Sequence, residues 1–188
     1  MPTGAERSES TIRGSRWIVE LAHGSEPERK SAEQLRRILE RYDLARWTFS
    51  RTIRIQDGAI PHSHPILTLN TRPLDRDEIV LATFIHEQIH WFFEERAEAV
   101  LRAIEELRVT YPHVPSSPPE GARNEFSTYL HLLVTTLEHI ALRDVLGQTE
   151  AADVMRAQGQ RIYRWIYRTV IADFDRMHTL VEKHGLLL

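Results

Sequence analysis

The sequence predicts an α+β fold, a small N-terminal antiparallel sheet followed by a mainly helical body. Three observations predict it: β-like runs confined to the stretch before residue 71, apolar-periodic segments after residue 75, and a proline-rich break at Tyr111–Gly121 between two of those segments. With 188 residues and 41% hydrophobic content, the chain can bury the core of one domain. That domain is assigned to residues 16–188. Residues 1–15, small, polar and charged, are expected to be a flexible N-terminus.

Ser31 precedes Ala32, Leu35, Ile38, Leu39 and Tyr42, which predicts an amphipathic helix with a serine N-cap. Two β-like runs follow, Arg46 to Ile55 with Trp47, Phe49, Thr52 and Ile53 in imperfect alternation, and the apolar Ile66 to Asn70. Asp57-Gly58 between them is a turn signal, so an antiparallel pair is expected. Pro73 ends the second run. Asp75 can cap a long helix to Leu107, whose first turn carries Asp77 and Glu78 as the helix dipole prefers. Tyr111 to Gly121, with four prolines and two serines, must be a loop. Asn124 to Leu146 reads as a second helix ended by Gly147. A third, Arg161 to His184, carries Ile162, Trp165, Ile166, Val170, Phe174, Met177 and Val181 on one stripe.

Composition removes several function classes. A net charge of -3, with basic residues scattered singly, supplies no field for nucleic acid or anionic lipid. No cysteine is present, which excludes disulfides, thiolate metal sites and cysteine nucleophiles. The first ten residues lack the charged start and apolar run of a secretory signal, and no apolar stretch reaches the roughly 18 residues of a membrane span. A cytoplasmic protein without nucleic-acid or membrane partners is the expectation, and the oligomeric state stays open.

The chemistry concentrates in Thr83-Phe84-Ile85-His86-Glu87-Gln88-Ile89-His90-Trp91-Phe92. Four residues advance a helix by about 400° and 6 Å, so His86 and His90 project from nearly the same face and can reach one ion. Two imidazoles on a rigid element suit Zn2+, which takes nitrogen ligands and keeps an open position in catalytic sites. Glu87 lies one step round the helix, where it can serve as the general base toward a water polarised by the ion. The large apolar neighbours Phe84, Ile85, Ile89, Trp91 and Phe92 form a water-poor wall that strengthens the electrostatics. Two satisfied histidines on a half-buried helix are the bland alternative.

A third ligand must come from elsewhere. On the helix from Asn124, the residues Asn124, Thr128, His131, Thr135 and Glu138 fall within one narrow stripe among apolar neighbours. A polar stripe of that kind faces a polar site, because uncompensated burial is costly. His131 and Glu138 stand about 10 Å apart along the axis, too far for both to hold one ion with ease. Glu138 is the expected ligand, with His131 as a catalytic donor that steadies an oxyanion. His131 and Glu125 are the alternative ligands, and Glu138 as a carboxylate that orients a ligating histidine is another reading. His139 is expected to face away. His62 and His64, between Pro61 and Pro65, lie on one side of an extended segment that lines a substrate cleft or has no role in the site.

Thr83 to Phe92 resembles the extended zincin signature of metallopeptidases, and a strand at Ile66 to Asn70 preceding the motif helix is similar to the zincin core. In that family an edge strand holds extended peptide beside the metal, so the resemblance implies a zincin-like fold and a peptide or protein substrate. Phe93 and Arg96 stand where the metzincin branch has glycine and a third histidine. Gly121-Ala122-Arg123-Asn124-Glu125 faintly resembles the gluzincin G-x-x-N-E, with Thr128 and Tyr129 in place of the acid that should follow. The expected function is hydrolysis of peptide bonds by a zinc-dependent metallopeptidase. Two alternatives stand beside it: a non-catalytic metal-binding interaction protein, and a di-metal carboxylate helical bundle, for which only one E-x-x-H is present.

Overall fold

Arg13 and Gly14 take positive φ, 49° and 74°, and close a two-residue hairpin between β1 (Glu6–Ile12) and β2 (Ser15–Leu21). Left-handed backbone at both turn positions matches the twist of the flanking strands. The structure is a computed structural model that describes residues 5–188. Most of the segment expected to be a flexible N-terminus is thus a strand, and residues 1–4 lie outside the described residues. Composition misled there because β1 is exposed along nearly its whole length and buries only Ile12.

β3 (Thr52–Ile55) lies parallel to β2, and β4 (Leu67–Leu69) parallel to β3, giving the order β1-β2-β3-β4. The α+β class is as the sequence predicts, but the sheet is mixed: the expected antiparallel pair is parallel. Asp57-Gly58 does turn, with Gly58 at φ 73°, yet the chain then runs on to residue 66 before entering β4. On that path His62 pairs with Thr68 in an antiparallel bridge, with N–H to O distances of 3.1 and 2.7 Å. The crossover from β2 to β3 is α1 (Glu26–Arg41), which begins before Ser31. Its N-cap is Ser25, in a capping box with Glu28, and Pro27 sits in the first turn. Burial alone would raise the pKa of the Glu28 carboxyl. Hydrogen bonds from the Asp57, His23 and Ser25 backbone and from the His23 ring outweigh burial and lower it.

The chain has two compact units, one up to Trp91 and one from Phe92, and the division falls inside α2 (Asp77–Glu94). In the first unit Trp17, Leu35, Ile38, Ile53, Ile55, Leu67, Phe84 and Ile85 are buried. Gln88 is fully buried: its Oε1 accepts from the Phe49 and Ser50 amides at 2.8 Å each, and its Nε2 donates to the Ser50 carbonyl at 2.7 Å. One side chain inside the H-E-x-x-H run therefore ties the helix to the chain before β3.

The long helix expected to end at Leu107 breaks at Glu95–Arg96 and continues as α3 (Ala97–Thr110). No glycine or proline marks the break, which is why periodicity ran through it. In the second unit α4 (Glu125–Leu146) is central and contacts α3, α5 (Gln148–Gly159), α6 (Arg164–Ala172) and α7 (Phe174–Lys183). Asn124 caps α4 through the Ser127 amide and Gly147 ends it, as its sequence predicts. Helix α5 is additional to the sequence reading. The third predicted helix is two, α6 and α7, separated at Asp173, whose carboxylate accepts from the Tyr111 hydroxyl at 2.8 Å.

The loop between α3 and α4 is pinned rather than slack. Thr128 Oγ1 donates to the Pro115 carbonyl at 2.7 Å and accepts from the Ala122 amide at 2.9 Å. A Cβ on Gly121 would stand 2.1 Å from the Pro115 oxygen, so only glycine fits. The same loop serves α6, which has no side-chain N-cap: its Arg164 and Trp165 amides donate to the Pro119 and Glu120 carbonyls at 2.9 and 3.1 Å. No helix among the described residues is long and apolar enough to cross a membrane.

Candidate metal centre

On α2, His86 and His90 face the same way, with ring centroids 5.2 Å apart and planes at 63°, as an i, i+4 pair must. His86 is 8% exposed and Glu87 7%. Both are near-buried polar groups on a helix otherwise made of Ile79, Leu81, Ala82, Phe84, Ile85 and Ile89.

On α4, the imidazole of His131 is held by its own helix. Its Nδ1 lies 2.6 Å from the Ser127 carbonyl oxygen and 3.4 Å from Ser127 Oγ. A carbonyl only accepts, so Nδ1 carries the hydrogen, and in the neutral ring the lone pair is then on Nε2. A hydrogen bond of this kind fixes the tautomer and ring direction of a ligating histidine. The Tyr163 ring lies against the His131 ring, centroids 4.6 Å apart.

His86, His90 and His131 each offer a ring nitrogen, and these three atoms lie within 4.8 Å of one another. Nitrogens bound to one zinc at 2.0–2.1 Å stand about 3.4 Å apart, inside that 4.8 Å limit. Three neutral imidazoles form a donor set that zinc takes readily while keeping a position open. The residues present fit the ion that the sequence implied.

The remaining expectations fall differently. Glu138, expected as the third ligand, is not in this group, whereas His131, expected as a donor with the ligand role as an alternative, is. Two turns separate them on α4, and the fully buried Glu138 carboxylate accepts from the Tyr167 hydroxyl, which lies 3.1 and 3.0 Å from its two oxygens. Glu125 pairs with Arg108 at 2.8 Å and is half exposed. Of the stripe, Asn124, Thr128, His131 and Glu138 all make internal hydrogen bonds, and the fully buried Thr135 hydroxyl, one turn beyond His131, has no hydrogen-bond partner among the described residues. His139 packs on Phe174 with ring centroids 4.5 Å apart, and burial, with the Arg143 charge behind it, lowers its pKa to about 4.

His62 points its Nδ1 at the Ile60 carbonyl, and His64 stacks on Trp91 with centroids 4.1 Å apart. At Thr68 the β4 edge that the zincin resemblance would give to extended peptide is paired with His62. Ser127, Tyr163 and Tyr167 were missed as partners of the stripe. No sequence signal exists for a backbone carbonyl, and the two tyrosines lie within the third predicted helix, Arg161 to His184, with no motif to mark them. Comparison with protein-family models, curated proteins and solved structures gave no match.

Proposed function

We propose that this chain is a metal-dependent hydrolase, with His86, His90 and His131 as ligands of one divalent ion and Glu87 as general base. One observation carries the proposal: the H-E-x-x-H pair and a histidine from a helix distant in sequence bring three ring nitrogens within 4.8 Å. Zinc is the ion by donor chemistry, since the set holds imidazole only. When bound, such an ion supplies Lewis acidity to a carbonyl oxygen and acidifies water.

Glu87 takes the proton from the attacking water. As the new carbon–oxygen bond forms and the carbon–nitrogen bond of an amide breaks, Glu87 returns that proton to the departing amine. The low exposure of Glu87 and His86 keeps bulk water from competing for it. A peptide substrate rests on the zincin resemblance alone. A closed structural metal site has no use for an unligated carboxylate beside its ligands, which places the binding-protein reading second.

Glu87→Gln tests the assignment. The variant should retain zinc at the wild-type stoichiometry and lose hydrolysis of a peptide library by about 100-fold or more. Undiminished hydrolysis removes Glu87 from its role; a wild-type protein that holds zinc and cleaves nothing favours the binding protein.

A further inference from the structure

Tyr163 has a φ of 53° and a ψ of 40°, left-handed helical backbone. That region is uncommon for any residue but glycine and a true outlier for a bulky one. Such a conformation persists where the surroundings over-determine it, and three backbone bonds do so here. The Arg164 and Trp165 amides bind the Pro119 and Glu120 carbonyls, and the Tyr163 carbonyl accepts from the Tyr167 amide at 3.0 Å. The backbone at 163 is a fixed mount at the start of α6.

If the position needed only a left-handed joint, glycine or asparagine would fill it without strain. The tyrosine adds a ring, and that ring lies 4.6 Å from the His131 ring at 54°. On the His131 imidazole the Ser127 carbonyl holds Nδ1. The Tyr163 ring adds a packing contact to that hydrogen bond, and the two together narrow the directions open to Nε2. Ligands whose rotamers are locked by packing and hydrogen bonding hold productive geometry without reorganising.

We propose that Tyr163 is a positioning residue for the metal centre, its aromatic ring packing against the His131 imidazole while the Ser127 carbonyl holds the Nδ1 side of that ring. The inference rests on His131 being a ligand, and the test separates the two claims.

The test is a metal titration of the full chain, using zinc in competition with a chromophoric chelator, and cobalt(II) for its visible ligand-field bands. Wild type and His131→Ala come first. If wild type binds neither ion, or His131→Ala binds as tightly as wild type, the ligand assignment fails and the inference falls with it. If that assignment stands, the Tyr163 variants decide the inference alone. Tyr163→Phe, which keeps the ring, should match wild type in affinity and cobalt spectrum. Tyr163→Asn, which tolerates left-handed backbone without an aromatic ring, should bind on the order of 10-fold more weakly, with altered cobalt bands. Should the asparagine variant fail to fold by circular dichroism, Tyr163→Leu keeps bulk in the same backbone and should show the same loss. Wild-type affinity and cobalt bands in the ring-less variants overturn the proposal, and so does a phenylalanine variant as weak as they are.

Discussion

His131 and Glu138 share one stripe of α4, yet their surroundings suit them to different work. The first has an imidazole whose Nδ1 donates to the Ser127 carbonyl, and the second has a fully buried carboxylate that accepts from the Tyr167 hydroxyl. In the proposed centre, His131→Ala removes one of three ligands and should lower zinc affinity by about 100-fold or more, since even outer-shell losses reach 10–100-fold. Glu138→Gln keeps the shape and a partner for Tyr167, so zinc affinity should stay within a few-fold of wild type. Chelator competition on the two variants reads both outcomes, and the reverse pattern would return the ligand role to Glu138. Spacing made the pairing of His86 with His90 legible because the helix repeat alone fixes their common face. Choosing between His131 and Glu138 was beyond it, since both lie on the same stripe and the choice depends on partners contributed by other segments.

Gln88 shows at the level of an element how the motif helix is tied within the first unit. Its three hydrogen bonds to Phe49 and Ser50 hold α2 against an irregular segment that offers no other regular pairing there. Gln88→Ala leaves two amides and a carbonyl without their partner and should cost about 2 kcal/mol of unfolding free energy, measured by urea denaturation. Gln88→Glu should not rescue it, because a carboxylate cannot donate to the Ser50 carbonyl. Among the helices, α4 was read with both ends correct, because Asn124 and Gly147 are side-chain and backbone stop signals written in the sequence. Helix α2 was overrun, since its end at Glu94 has neither glycine nor proline and follows from packing. The parallel pairing of β3 and β4 was hidden for a related reason: Asp57-Gly58 is a true turn, but residues 59–66 spend it on the His62–Thr68 bridge instead of a hairpin.

For the whole molecule, the α+β class followed from where β-like and helix-like periodicity fall along the chain, and among the described residues a four-stranded sheet, crossed by α1, precedes the six helices α2 to α7. The polar β1 escaped because composition reports burial, and an exposed edge strand buries little. Stability of the whole should also carry the signature of one buried imidazole. The folded-state pKa of His139 is lowered to about 4 from 6.5. Between those values the unfolded chain binds a proton that the folded chain does not. The His139 contribution is therefore complete above pH 6.5, declines as pH falls toward about 4, and levels off below. Urea midpoints across that window should fall less steeply in His139→Leu than in wild type; parallel curves would mean that His139 is not buried neutral.

One ion held by three histidines is the heart of the proposed centre. An anomalous-difference map at the zinc edge, from crystals of the zinc-loaded protein, addresses this directly. A single strong peak within bonding distance of ring nitrogens from His86, His90 and His131 is the predicted result. A peak on other residues, or side chains at 86, 90 and 131 that diverge with no peak among them, would contradict it.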